Sequence, residues 1–271
     1  KVKWSLLEDM AFISALLQQN SGVEQRWNSP NDAVIWFTSL GWQVDRAGET
    51  LFKENLEMPS ELLGVRLKLR KAYLRHLDRV NRVFSELIAN CGMESLHHPF
   101  AGKILDDYLK DAKEPIAVLV LDAFRYDLGC RLSEMLNKGE PAQRSEVKTA
   151  RSPIPSVTFL GMSFALPGLS DKLHAELAKA TWKVSAEGFE GDLALASERR
   201  RWLKSALNTK EKGLMSVTEL LASNPEAIKP KSLGKLVFAF GDEFDVTGHD
   251  GLLKISGSDE NLERYAQAVR R

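Results

Sequence analysis

Ile116-Ala117-Val118-Leu119-Val120-Leu121 is a continuous apolar run, introduced by Pro115 and closed by Asp122. Such a run, without alternation, suits a strand buried on both faces in a parallel sheet. Downstream, Phe124 to Asn137 reads as a helix, and Leu236-Val237-Phe238-Ala239-Phe240 is a second apolar run, closed by Gly241-Asp242. Helical patterns at Ser170 to Leu177, Glu198 to Leu207 and Ser216 to Ser223 lie between the two runs. Strands alternating with helices predict an α/β sheet with flanking helices.

Upstream of Pro99 the character changes. Leu6, Leu7, Met10, Ile13, Leu16 and Leu17 recur at helical spacing, and a short helix is predicted over Asn31 to Leu40, started near Ser29-Pro30. A long helix is predicted from Glu61 to Ala89, with Tyr73, Leu77, Val80 and Phe84 on its apolar stripe. Its other faces carry Arg66, Lys68, Arg70, Lys71, Arg75, Arg79 and Arg82. That basic surface is either a solvated face partly paired with Glu61, Asp78 and Glu86, or a contact for phosphate backbones. The chain therefore divides into a helical region, 1–113, that could bind partners, and an α/β domain, 114–271.

Composition narrows the function classes. Lys+Arg and Asp+Glu both number 37, so no chain-wide basic surface drives nucleic-acid binding, though a local patch stays open. Cys91 and Cys130 lack a C-x-x-C spacing, which argues against a zinc knuckle and for two buried small side chains in a reducing compartment. No signal peptide opens the chain, and no apolar run approaches the ~18 residues that span a bilayer. A cytoplasmic protein that does not engage a membrane is the expectation. The first residue is Lys1, not Met, and the last residues, Ala268 to Arg271, read as helix, so a fragment of a longer protein is expected. No glycine-rich P-loop is present, so the chain is not expected to be an ATPase itself.

Three features carry chemistry. Asp122 closes a buried strand at the sheet edge where open α/β proteins bind ligands, and a carboxylate there suits a divalent cation; the alternative is a cap for the following helix. Asp245 and His249 stand four residues apart after the second strand, on one helical turn or in a tight loop bent at Gly248. A carboxylate and an imidazole are two ligands of a typical zinc site; the alternative is a polar loop with a surface histidine. In Ser152-Pro153-Ile154-Pro155-Ser156-Val157-Thr158, a hydroxyl sits at the start of a helix running to Leu166. A hydroxyl between that positive helix end and a metal ion could become an alkoxide nucleophile; the alternative is a plain N-cap at Ser156 or Thr158.

The order of these features resembles that of the alkaline phosphatase superfamily, including its phosphodiesterase branch, whose E-x-x-D-x-x-G-H-x-x-G run compares with Glu243-Phe244-Asp245-Val246-Thr247-Gly248-His249-Asp250-Gly251. The D-x-x-G-H core matches, while Glu243 stands two residues before Asp245 and the last glycine comes one residue early. The PglZ family of bacterial phage-defence (BREX/Pgl) systems is the closer resemblance. Its V-L-D-x-x-R-Y-D/E and P-S-x-T-x-L-G-M-x-x-x-L-P patterns are followed by Val120 to Asp127 and by Pro155 to Pro167. The likeness covers 115–271 and, more loosely, the helical stretch before it.

That resemblance implies an alkaline-phosphatase-like, mostly parallel sheet and a metal-dependent phosphatase or phosphodiesterase. It implies two divalent metal ions, zinc foremost with manganese or magnesium as alternatives. Asp122 would bind one metal together with the nucleophile Thr158, and Asp245 and His249 the other. Ser156 is the fallback nucleophile. Arg125 would contact a substrate phosphate or pair with a neighbouring acid. The implied partners are a methyltransferase and an ATPase of the defence system, and the implied substrate is a phosphate ester, nucleotide or nucleic acid. The family completes its site with a D-H pair and a further His beyond the segment matching Asp245 and His249, and these are expected to follow Arg271. The alternative is a non-catalytic scaffold or a nucleic-acid-binding subunit of the same complex.

Overall fold

In the computed structural model, described over residues 4–52, 59–139, 145–169, 171–178, 181–207, 213–224, 236–249 and 257–270, both apolar runs are strands. They are β1 (Ile116–Leu121) and β5 (Leu236–Gly241), paired in parallel with Val118 opposite Phe238 and Leu121 opposite Gly241. A short strand, β4 (Leu214–Ser216), adds to the other side of β5, also in parallel, giving the order β1-β5-β4. Between β4 and β5 lies helix α9 (Val217–Ala222), whose Ser216 and Glu219 form a reciprocal capping box. Parallel neighbours need such a crossover, and the box ends β4 by starting the helix. The chain is thus α/β with a parallel sheet and flanking helices, preceded by a helical region.

Chain contacts divide the protein into two compact units. The first comprises Lys1–His97, Arg125–Pro141 and Thr247–Glu260; the second comprises His98–Phe124, Ala142–Val246 and Asn261–Arg271.

In the first unit, α1 (Trp4–Gln19) buries Leu6, Met10, Ile13 and Leu16, the three-and-four spacing of one helix face. Helix α2 (Pro30–Trp36) begins with proline at N1 and a Ser29–Asp32 capping box, then runs through a π-turn at Phe37–Gly41 into α3 (Trp42–Thr50). Helix α4 (Ser60–Cys91) is 32 residues long. Ile13, Leu16, Val44, Ala47, Leu51 and Tyr73 form the core of this unit. Each such aliphatic side chain contributes about 1.5–3 kcal/mol by leaving water. Three of the α4 arginines are engaged locally. Arg66 donates to Leu51 O at 2.8 Å, Arg70 lies 4.4 Å from the Phe52 ring centre, and Arg79 pairs with Glu24 at 3.2 Å. Cys91 corrects the reading of both cysteines as buried: it ends α4 exposed, because the helix runs past the core that covers Tyr73 and Val80. Among the described residues no helix is long and apolar enough to cross a membrane.

In the second unit, α5 (Ala101–Asp111) precedes β1, and α7 (Thr158–Phe164) and α8 (Ala196–Leu207) supply Leu160 and Leu203 to a core with Leu193, Leu214 and Phe238. Gly102 is required by a close backbone approach. A Cβ there would stand 2.3 Å from Leu166 O and 2.9 Å from Phe164 O. The helix predicted over Ser170 to Leu177 is instead a strand. β2 (Leu173–Ala178) pairs antiparallel with β3 (Thr181–Ala186). Leu, Ala and Glu favour a helix locally, but Trp182 and Val184 on β3 offer pairing partners that a sequence window does not contain.

Candidate functional site

Asp122 follows β1 at the carboxyl edge of the parallel sheet. Its backbone N–H still donates to Gly241 O at 2.8 Å, so the residue is held by the ladder. The chain then leaves abruptly: Ala123 adopts φ +52° and donates its N–H to Asp122 Oδ1 at 2.8 Å. A non-glycine residue in the left-handed region costs roughly 1–2 kcal/mol, a kind of strain that recurs at functional turns. The next helix, α6 (Tyr126–Asn137), starts later than expected, and its N-cap position is Arg125. Asp122 is therefore not that helix's cap.

At the same edge, β5 ends at Gly241 and leads into α10 (Glu243–His249), with Asp245 half-buried in its first turn. The Asp245 and His249 segment is thus helical at its backbone, while the side chain of His249 lies outside the described residues. Gly241 is hemmed in: a Cβ would meet Glu243 Oε2 at 2.7 Å, Tyr265 Oη at 2.9 Å and Leu121 Cδ2 at 3.0 Å. Tyr265, fully buried on α11 (Gly257–Arg270), donates its hydroxyl to Glu243, and burial followed by that bond raises its pKa. Phe124, Phe244 and Tyr265 stack around this end, with ring centres 5.5–6.2 Å apart.

Thr158 is the first residue of α7, and Val157 holds the N-cap position, so neither Ser156 nor Thr158 is the cap. Both hydroxyls are exposed, and among the described residues neither side chain has a hydrogen-bond partner. The helix behind them is firmly seated. Leu160 is buried in the core, and the buried Ser163 Oγ lies 2.7 Å from Phe159 O and 2.8 Å from Leu193 O.

Arg125 belongs to the first unit, where acids engage it. Its Nε lies 2.9 Å from Asp127 Oδ1 and its Nη2 3.0 Å from Asp127 Oδ2, and Glu49 takes the same Nη2. These bonds raise the Arg125 pKa, with the Asp127 hydrogen bonds foremost. Asp45 is part of this cluster, and its carboxyl is pushed up to about 6, first by burial and then by the charge of Asp127.

Sequence reasoning missed Arg199. This half-buried residue on α8 directs Nη1 to Leu193 O at 3.0 Å and to Ala194 O at 2.8 Å. Burial lowers its pKa, and the carboxylate of Asp122 opposes that shift. The signal was present as Glu198-Arg199-Arg200-Arg201, but three adjacent arginines in a helical pattern read as a solvated face.

Asp122, Ser156, Thr158 and Asp245 all lie in the second unit. Asp122 and Asp245 offer hard oxygen donors, yet among the described residues no three His, Cys, Asp or Glu side chains gather closely enough to hold a metal ion. The described residues on their own do not fit a complete metal site. A separate open cavity of about 680 Å³, lined by Tyr108, Asp111, Ile116 and Lys148, includes the opposite end of β1 from Asp122.

Comparison with known proteins agrees with the motif reading. Residues 100–182 match the family described as the BREX system PglZ alkaline phosphatase-like domain. The chain is 26% identical over 158 residues to the alkaline phosphatase-like protein PglZ of Bacillus cereus (strain H3081.97). That alignment covers 58% of this chain and 17% of the relative, so the chain spans about a sixth of that relative's length. No solved structure matches significantly. The matched family segment contains Asp122, Arg125, Ser156 and Thr158, and over it the chain carries the PglZ, alkaline phosphatase-like resemblance that its two motifs announce.

Proposed function

We propose that the second unit is the phosphoryl-transfer part of a phosphohydrolase, a phosphatase or phosphodiesterase, acting in bacterial phage defence. Thr158 is the nucleophile in this reading and Ser156 its fallback. The observation that carries it is Asp122, held by the β-ladder at the carboxyl edge of the sheet in the same compact unit as an exposed, unpartnered Thr158 hydroxyl. Thr158 Oγ1 would attack phosphorus as the bond to the leaving alcohol breaks, and water would then cleave the phosphothreonine. The family resemblance implies two divalent cations, zinc foremost, which neutralise phosphoryl charge when bound. Asp122, Asp245 and His249 are the ligands this part of the chain would offer, with further ligands from elsewhere in the protein.

The substrate class is a phosphate ester, nucleotide or nucleic acid, and the partners are the methyltransferase and ATPase of the defence system. A single assay tests the reading: hydrolysis of p-nitrophenyl phosphate and bis-p-nitrophenyl phosphate with zinc or manganese, in the full chain and in Thr158→Ala. The variant should lose about 10³-fold or more of the rate. Undiminished hydrolysis in Thr158→Ala would move the nucleophile to Ser156, and absence of both activity and bound metal in the native chain would favour the scaffold alternative.

A further inference from the structure

We infer that Arg199 is the guanidinium that receives a phosphoryl oxygen beside Asp122, an inference that rests on the phosphoester reading above. The first support is how the side chain is held. Two carbonyls, Leu193 O and Ala194 O, take up the N–H groups of Nη1 and so fix the guanidinium plane. That leaves Nε and Nη2, with three N–H donors, for which the described residues supply no acceptor. Two donors side by side in a fixed plane match two oxygens of a phosphate, and a guanidinium stays charged at any working pH.

The second support is what Arg199 shares. The Leu193 carbonyl that it grips also lies 2.8 Å from Ser163 Oγ on α7, the helix that begins at Thr158. Leu193 is itself fully buried among Leu160, Leu203 and Phe238. Arg199 and the Thr158 helix are therefore fastened to one rigid point of the core.

The third support is charge. Asp122 is the carboxylate whose field acts on Arg199, yet among the described residues Arg199 makes no direct ion pair. Its neighbour Arg200 is differently employed, 5.7 Å from the centre of the Phe240 ring. Arg125, the motif arginine, has its fork taken by Asp127 and Glu49. In the second unit it is Arg199 that combines a fixed guanidinium, open donors and the neighbourhood of Asp122.

The test is binding of inorganic phosphate to the full chain, followed by isothermal calorimetry with metal chelated and again with zinc. Native protein should bind phosphate. Arg199→Gln should weaken binding about ten-fold or more, the loss of a charge-assisted pair of hydrogen bonds. Arg199→Lys should fall between, since charge remains while the fork is lost. Arg200→Gln should stay within about two-fold of native, as an exposed charge does. If Arg199→Gln fails to fold, Arg199→Lys decides alone. Native-like affinity in a folded Arg199 variant, or no phosphate binding by the native chain in either condition, overturns the inference. Phosphate binding lost in Arg199→Gln while Thr158→Ala still hydrolyses would remove the nucleophile and keep the anion site. Hydrolysis lost in Thr158→Ala with phosphate binding unmoved in Arg199→Gln would do the reverse.

Discussion

Arg125 and Arg199 are both half-turned away from water, each in a different unit, and they are held in opposite ways. Arg125 meets carboxylates: Asp127 through two nitrogens, and Glu49. Arg199 meets carbonyls through one nitrogen, 2.8 and 3.0 Å away, with the rest of its fork unassigned. A guanidinium facing carboxylates is neutralised and becomes a structural clasp. One facing carbonyl dipoles keeps its net charge and remains available to an anion. The difference teaches that an arginine inside a recognised motif need not be the one that serves the ligand. Here the D-x-x-R-Y-D stretch runs from Asp122, in the unit that carries the sheet, to Arg125 and Asp127, in the helical unit.

Removing the clasp should have the largest effect on stability. Asp127 is 1% exposed, and Arg125→Ala would leave that carboxylate buried without its partner. We expect a loss of about 2–4 kcal/mol in urea unfolding, reduced from the full cost of a broken buried pair because Arg125 is itself partly in water. A loss below about 0.5 kcal/mol would mean that Asp127 finds another donor and that the clasp description is wrong. Arg199→Gln, by contrast, should cost only about 1 kcal/mol, the worth of hydrogen bonds to two neutral carbonyls. Equal losses for the two variants would erase the distinction between clasp and open fork.

Asp45 sharpens the comparison through pH. Its carboxyl stands at about 6 in the fold against 3.8 ordinarily, so the folded protein holds this proton more tightly than the unfolded chain does. The group's contribution is most favourable below the ordinary value and is lost as pH rises through about 6. Asp45→Asn should therefore gain on native protein across that window and be about 1–2 kcal/mol more stable above it. Urea midpoints that run parallel for the two proteins between these pH values would show that the acidic cluster does not strain Asp45. The smallest effect belongs to Arg46, which pairs with Glu134 at 2.8 Å on the surface, both side chains about half exposed. Arg46→Ala should stay within about 0.5 kcal/mol of native in the same measurement, and a larger loss would mean that this pair, too, is part of the clasp.

Much of the fold was legible because its signals are local. Two unbroken apolar runs became β1 and β5, and the three-and-four spacing of Leu6, Met10, Ile13 and Leu16 became the buried face of α1. Ser29-Pro30 announced the start of α2 through chemistry contained in a few residues. Asp122 and the Ser156–Thr158 segment were likewise visible, since a strand end and a proline-flanked hydroxyl are local patterns. The β2–β3 hairpin was not, because its strands are specified by each other and not by their own propensities.

By itself, the sequence determined the order of strands and helices, the placing of a carboxylate and a hydroxyl at element ends, and the resemblance to PglZ. Periodicity and short motifs record these without reference to distant residues. Tertiary structure alone decided which arginine is spent and which stays open. Arg125 meets Glu49 across 76 positions, and Arg199 meets the Leu193 carbonyl that the Thr158 helix also uses. Whether a charge is neutralised depends on what folding brings within hydrogen-bond reach, and that is a property of space and not of spacing along the chain.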